Sequence, residues 1–545
     1  MTTPSPTRPA VALPDTVEGR ADEPSSEAPR PLSGPQFLLP LFALVVLLVV
    51  PIWLFVAPVL AERAVSVSVP VVLFAVMTAY CAVRLGLLMW AAEPRWMVLG
   101  VWMFSYSWIA VAGLTQSLAD ANPLGLTLSP ALATEQAALL LFGLVCFDAA
   151  TRVRPGSLVP RRWTTTRRTG RGRVLSPRRV MVLSGFSLVT APLFIAVLGG
   201  PSALLSSREA ISDSLSTSGL YSASTNASGG TLFVFGGCLS FIAVLCLGRL
   251  LADDPTVRRR PLPWVFLLGL VAVNVLINNP ISNARYWAFA VVLALLFTWR
   301  AFSRPAVITV FVTVFVMSSL VVFPYLDQFR YTEASIQKYG LHDDRYTEPV
   351  DYVLAKTDYA SVTDVAVVIR YAEQEGHTWG RQLLGSALFW VPRTVWADKP
   401  DNTAFIVADS IGFPNRNLDS PLWAEGYVDF GWVGTAILLA AAGLIARRLD
   451  DAFVRVARHR DGVRDTVRAA AVRAVPLMAV AMPVVAGYEY ILLRGSLLQA
   501  MARIAVMVVL LLLVSHRADH PSTPLLGWIP TRRLPAPTSP GRTTP

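Results

Sequence analysis

The chain has 545 residues, 54% of them hydrophobic and only 15% charged, with a formal net charge of +11. A soluble domain carries about a quarter charged residues, so a water-soluble globule is excluded. The excess arginines sit in short clusters between apolar runs. That is a pattern of membrane topology and anionic headgroups, and nucleic acid is excluded as a partner.

In chain order, residues 1–35 are rich in Pro, Ser and Glu, without a basic-then-apolar signal pattern, and read as a disordered cytoplasmic tail. Apolar runs follow at about 37–60, 65–90, 96–115, 129–149, 180–199, 230–251, 263–279, 286–302, 305–324, 426–446, 474–492 and 497–515. Each approaches the roughly 20 residues that cross a hydrocarbon core. The expected fold is an all-α polytopic membrane protein of about 12 transmembrane helices, one domain over residues 36–516. The Pro-rich stretch 517–545 reads as a second disordered tail. Two spans are irregular: Arg84 interrupts the second, and the eleventh ends in Gly487-Tyr488-Glu489-Tyr490.

Arginines crowd into 152–179, 258–260 and 447–473. Short Arg-rich loops stay cytoplasmic, so both termini are expected inside a cytoplasmic membrane, with 200–229, 278–285 and 325–424 outside. Cys81, Cys146, Cys238 and Cys246 all fall inside apolar runs and offer no outer disulfide and no CxxC. The five histidines are scattered, so neither a metal site nor a cofactor is expected.

The large extracytoplasmic loop, 325–424, holds all three lysines, Lys338, Lys356 and Lys399. A loop this long is rarely a mere connector. It has helical patterns of its own. Val362, Val365, Val368 and Ile369 recur at helix spacing, with Asp364, Arg370, Glu373 and Glu375 on the other side. A second apolar stretch, Leu383 to Val391, stops at Pro392. These read as short helices lying on the outer membrane face and dipping toward it.

Four arginines lie beside outer span ends: Arg208, Arg285, Arg393 and Arg494. Arginine at that boundary is unusual, and its planar fork binds phosphate bidentately. Together they would neutralise a diphosphate without a metal. Singly, each could equally snorkel or pair with Glu209, Glu425 or Glu489. Proton acceptors are sought among Glu425, His377 and Glu489. Glu425 and Asp429 lie four apart, on one helix face. The bland alternative for these acids is an Arg partner, and for His377 a solvated loop position. Phe389, Trp390, Trp396, Trp423, Tyr427, Phe430 and Trp432 crowd the same region; an interfacial aromatic belt explains most of them, and sugar stacking one or two. There is no GxGxxG after a strand, no P-loop and no GxSxG, so a sugar donor would have to arrive linked to lipid.

The run Val391-Pro392-Arg393-Thr394-Val395-Trp396-Ala397-Asp398-Lys399-Pro400, then Ser420-Pro421, then Glu425-Gly426-Tyr427-Val428-Asp429-Phe430-Gly431-Trp432-Val433-Gly434, resembles the O-antigen polymerases, the Wzy-type oligosaccharide repeat-unit polymerases. The turn Asn283-Ala284-Arg285-Tyr286-Trp287 and Arg494-Gly495 also look like family positions. The likeness runs over about 180–515, its specific part over 389–434. The chain departs at Ala424-Glu425-Gly426, where the pattern more often reads Gly-Glu. The resemblance implies polymerisation of undecaprenyl-diphosphate-linked oligosaccharide at the outer leaflet, the growing glycan passing to the non-reducing end of an incoming unit. It implies diphosphate contacts at Arg208, Arg285, Arg393 and Arg494. Its partners would be that lipid-linked glycan, membrane lipids and a chain-length regulator.

Two other readings stand beside it. One is another polyprenyl-lipid-dependent transferase, including mannosyl-, arabinosyltransferase or O-antigen ligase types; the acidic pair typical of the first outer loop in the large mannosyl- and arabinosyltransferases is reduced here to Glu62. The other is a transporter or lipid flippase, which would show paired half-repeats with broken helices, and no such symmetry is visible.

Overall fold

The structure, a computed structural model, describes residues 34–62, 67–91, 93–153, 173–205, 226–279, 285–323, 348–413, 418–466 and 475–517. Apolar runs become helices wherever they were expected. The first four are α1 (Phe37–Glu62), α2 (Val69–Ala91), α3 (Trp96–Ala119) and α4 (Pro130–Arg152). They are followed by α5 (Pro177–Val197), α6 (Phe235–Asp253), α7 (Pro261–Ile277), α8 (Arg285–Thr298) and α9 (Pro305–Val322). The 325–424 region supplies α10 (Pro349–Ala355), α11 (Ser361–Glu375), α12 (Arg381–Ala387) and α13 (Thr403–Ser410). The chain then forms α14 (Leu422–Val454), α15 (Met478–Arg494) and α16 (Leu497–Val514).

Among the described residues, nine of these helices are long and apolar enough to cross a membrane. The fold is therefore that of an all-α membrane protein. The other three apolar helices, α7, α8 and α15, have 17, 14 and 17 residues, short of the roughly 20 that a straight span needs.

Helix starts follow their capping chemistry. Ser129 and Ser176 accept from Leu132 and Arg179 N–H ahead of Pro130 and Pro177, and Ser496 caps α16. Asp450 of α14 does the same for α3 from a distance, accepting from Met97 and Val98 N–H at 3.0 Å each. The interruption at Arg84 is resolved by pairing. Its guanidinium lies 2.6 Å from Asp148 of α4, which also accepts from Tyr80 and Arg152. An intramembrane ion of this kind is tolerated because its partner faces it inside the bundle. Two short antiparallel strands, β1 (Arg173–Leu175) and β2 (Ser515–Arg517), tie the entry of α5 to the exit of α16.

α3 is the central helix, buried along nearly its whole length. Trp108 at its middle stacks on Phe104 and on Tyr359, the residue just ahead of α11. That contact corrects one expectation. Instead of lying on a membrane surface, α11 is buried on all sides from Ser361 to Ile369, with Asp364 completely enclosed. Gln116 of α3 donates to the Val353 and Tyr359 carbonyls, and Gln136 of α4 to that of Val362. Only the far end, Arg370, Glu373 and Glu375, reaches solvent.

Candidate functional site: a re-entrant helix and a buried acidic pocket

α14 is not one straight rod. Phe430 (φ −142°, ψ 22°) and Gly431 (φ 59°, ψ −142°) break it. Gly431 occupies a region of backbone space that only glycine enters without strain. The eight residues before the break fold back against the helix after it. Thr435 Oγ1 donates to the Trp423 carbonyl at 3.0 Å. A Cβ on Gly434 would run into the Gly426 carbonyl oxygen, so the two backbones touch. Depth can be read along α4. Trp432 and Tyr427 both reach Glu135, near the first turn, while Trp423 Nε1 donates to Leu140 O at 3.1 Å, near the middle. Residues 422–429 thus form a short helix whose start plunges to mid-span. The span proper begins at Trp432, not at Gly426 as the sequence suggests. Irregular backbone at that depth occurs only where protein or a cavity satisfies it.

A polar cluster surrounds the buried start of this helix. Arg494, the last residue of α15, lies with Nε 2.7 Å from Asp419 Oδ2 and Nη2 3.5 Å from Asp358 Oδ1. Its Cζ sits 4.0 Å over the Tyr286 ring. Ser361 Oγ donates to Asp419 Oδ2 at 2.9 Å, and Tyr352 OH to Asp358 Oδ2 at 2.7 Å. Asp364 is enclosed beside Asp419. Two carboxyls so share one guanidinium, with the Asp364 carboxyl buried beside them. Burial raises Asp364 well above the usual carboxylate range, with the charge of Asp419 adding to it. Burial also pushes Asp419 up to about 7, against the pull of Arg494 and the Ser361 hydrogen bond. A carboxyl with that affinity exchanges its proton near neutrality.

The candidates from sequence are placed as follows. Glu425 is 1% exposed and braces three elements: its Oε2 accepts from Thr403 Oγ1 at 2.9 Å and its Oε1 from Leu497 N at 3.0 Å. It adjoins the cluster, because Ser420 N donates to the Arg494 carbonyl. His377 stands at the opposite end of the re-entrant helix, with Nε2 against Gly431 and its ring 5.6 Å from that of Tyr427. Glu489 is not at the end of α15 but buried inside the bundle against Gly100 of α3, its Oε2 without a hydrogen-bond partner among the described residues. It belongs to neither place.

Arg393 is half exposed and staples its own loop, pairing with Asp401 and donating to the Lys399 carbonyl at 2.9 Å. Lys399 in turn donates to the Phe389 and Val391 carbonyls; burial and the Arg393 charge lower its pKa. None of the Arg393 contacts is with the Arg494 cluster. Arg285 begins α8, one residue before Tyr286, and its side chain lies outside the described residues, as does all of Arg208. The structure therefore unites Glu425 with Arg494 and separates His377, Glu489 and Arg393 from them.

Asp358, Asp364, Asp419 and Glu135 were missed as site residues. Each has a polar neighbour, as in Thr134-Glu135-Gln136, Thr357-Asp358-Tyr359 and Leu418-Asp419-Ser420, so local sequence reads them as solvated. Asp429, by contrast, is structural. It accepts from Thr378 Oγ1 and from Gly380, Gln382 and Leu383 N–H, and so caps α12.

Fold and site together define an all-α membrane protein with a re-entrant helix beside a buried acidic cluster. No family model, characterised protein or solved structure matches this chain.

Proposed function

We propose that this protein is a membrane glycosyltransferase that polymerises lipid-linked oligosaccharide repeat units. The glycan passes from a polyprenyl diphosphate donor to the non-reducing end of an acceptor unit. In this reading the twelve apolar helices all span the cytoplasmic membrane, both termini are cytoplasmic, and the 325–424 region faces outward. Polymerases of the Wzy type are the family it resembles.

The observation that carries the reading is the re-entrant helix. The segment Glu425–Gly434, one of the stretches that carry the resemblance, is the hairpin that brings a polar cluster to mid-span. A donor tethered in the membrane by its polyprenyl chain calls for polar groups set within the bundle beside the lipid. Within that cluster, Asp419 is the group suited to take the acceptor hydroxyl proton, with Asp364 buried behind it. Glu425 and Arg494 hold the pocket walls. Arg285, at the head of α8, and Arg208 remain the arginines proposed for the diphosphate, because Arg494 is already engaged by two aspartates and Arg393 by Asp401.

Deletion of the gene tests the reading directly. The producing cell should accumulate single lipid-linked repeat units and lose long glycan. Unchanged glycan length would rule the polymerase out and favour the transporter.

A further inference from the structure

At the other end of the re-entrant helix the backbone is strained in favour of an exposed indole. Trp379 has φ 51°, a conformation that bulky L-residues rarely adopt, and it is 76% exposed. The strain is held by Asp429. Trp379 N donates to the Asp429 carbonyl at 3.1 Å, Thr378 N to that of Val428 at 2.9 Å, and the Asp429 carboxylate grips the residues on either side. Strain of this kind persists where surrounding contacts over-determine it, and it concentrates at ligand sites.

Around this indole stand Phe430, edge-on at 6.4 Å between ring centres, and His377 at 6.2 Å. Beyond His377, Tyr427 OH donates to Glu135 Oε1 at 3.0 Å, and Trp432 Nε1 to the same oxygen at 3.3 Å. Glu135 is thereby fixed on one oxygen, while its Oε2 has no partner among the described residues. Glu373 and Glu375 are exposed close by. A flat apolar face followed, past His377 and Tyr427, by a fixed acceptor is suited to a chain of rings that carry hydroxyl groups on their rims and C–H groups on their faces.

We infer that Trp379 and Phe430, with Glu135 two rings further along, form a glycan-binding subsite, one sugar ring stacked on Trp379 and a hydroxyl of a neighbouring ring donating to Glu135. The subsite deepens the transferase reading and rests on it for its role, that of holding the acceptor chain. At about 1.5 Å rise per residue, the helix from Leu422 to Asp429 places it on the order of 10 Å from the acidic pocket. That is a reach of one or two sugar rings.

The test uses the full chain in nanodiscs, with oligosaccharide released by mild acid from the producing cell's lipid-linked pool as probe. Intrinsic fluorescence should be quenched saturably, and the apparent Kd should rise at least tenfold in Trp379→Gly and in Glu135→Gln. Glycine adopts φ 51° freely, so Trp379→Gly should unfold at no lower temperature than the parent. Trp379→Asn, which also tolerates that backbone, provides a second variant. Glycan affinity that is absent in the parent or unchanged in these variants would overturn the subsite. So would quenching by brominated phosphatidylcholine that disappears in Trp379→Gly, since the indole would then be a lipid anchor. Glycan binding without polymerisation would instead overturn the transferase reading and leave the subsite standing.

Discussion

Asp419 is where residue-scale chemistry is most testable. Its carboxyl, raised to about 7 chiefly by burial, binds its proton more tightly folded than unfolded, where a carboxylate titrates near 4. Folding stability from this group is therefore fully present below that ordinary value and is lost as pH rises toward 7. Activity should move the opposite way. A proton acceptor works only when ionised, so turnover should rise with pH through an acid limb near 7. Asp419→Asn should remove that limb and lower turnover by roughly 10²–10⁴-fold, measured as polymer formed by membranes across pH 5–9. An acid limb that persists in Asp419→Asn assigns the titration to another group.

Glu425 offers the complementary case at the same scale. Glu425→Gln keeps an acceptor for Leu497 N and presents an amide to the Thr403 hydroxyl, so the brace between α13, α14 and α16 survives. Insertion and lipid-linked substrate binding should be normal. Polymer lost by tenfold or more would give the carboxylate a chemical role, and normal polymer would confine it to the brace.

At the scale of elements, the hairpin of α14 depends on three glycines doing different things. Gly431 supplies the turn, while Gly426 and Gly434 let two helices touch backbone to backbone. Gly434→Ala places a methyl group against the Gly426 carbonyl. Such overpacking costs about 1–3 kcal/mol, and here it also pries Thr435 from Trp423. Gly431→Ala forces a side chain into a glycine-only conformation, at a similar cost of about 1–3 kcal/mol. Both should lower the thermal midpoint in detergent, read by fluorescence-detected size exclusion. Gly248→Ala in α6 is the control, because a Cβ there meets nothing nearer than Leu267 at 4.0 Å. Equal midpoints for Gly434→Ala and the parent would mean that the re-entrant helix is not packed as described.

For the whole molecule, the orientation of the bundle decides which face meets the lipid-linked glycan. Cysteines introduced at Ser216 and Lys356 should react with an impermeant thiol reagent in intact cells, and one at Thr165 should not. The native Cys81, Cys238 and Cys246 are buried and contribute little background. Labelling at Thr165 would invert the topology and place the acidic pocket on the side of the nucleotide sugars. The same bundle explains how charge is carried through it. Arg84 meets Asp148, and Arg494 meets Asp419 and Asp358, each across more than 60 residues of chain.

The helices themselves were legible because their causes are local. In a hydrocarbon medium every backbone N–H and C=O must be satisfied within its own segment, so a run of apolar residues fixes both the presence and the approximate ends of a helix. Glu425 and Arg494 stood out in the sequence for a related reason, since an ionisable group at a span boundary is conspicuous on its own. What only the tertiary structure decided were matters of partnership. Asp364 lies opposite an apolar stripe, which in isolation marks a solvated face. It is buried because α11 plugs the bundle and turns that face toward Asp419 and Arg494. Residues 422–429 read as the first turns of a continuous span, since a break at Phe430–Gly431 leaves hydropathy unchanged and shows only when Gly426 meets Gly434. Trp379 has the composition of any interfacial tryptophan. Its strain comes from Asp429, fifty residues along the chain, and contacts at that distance leave no periodic mark on the sequence between them.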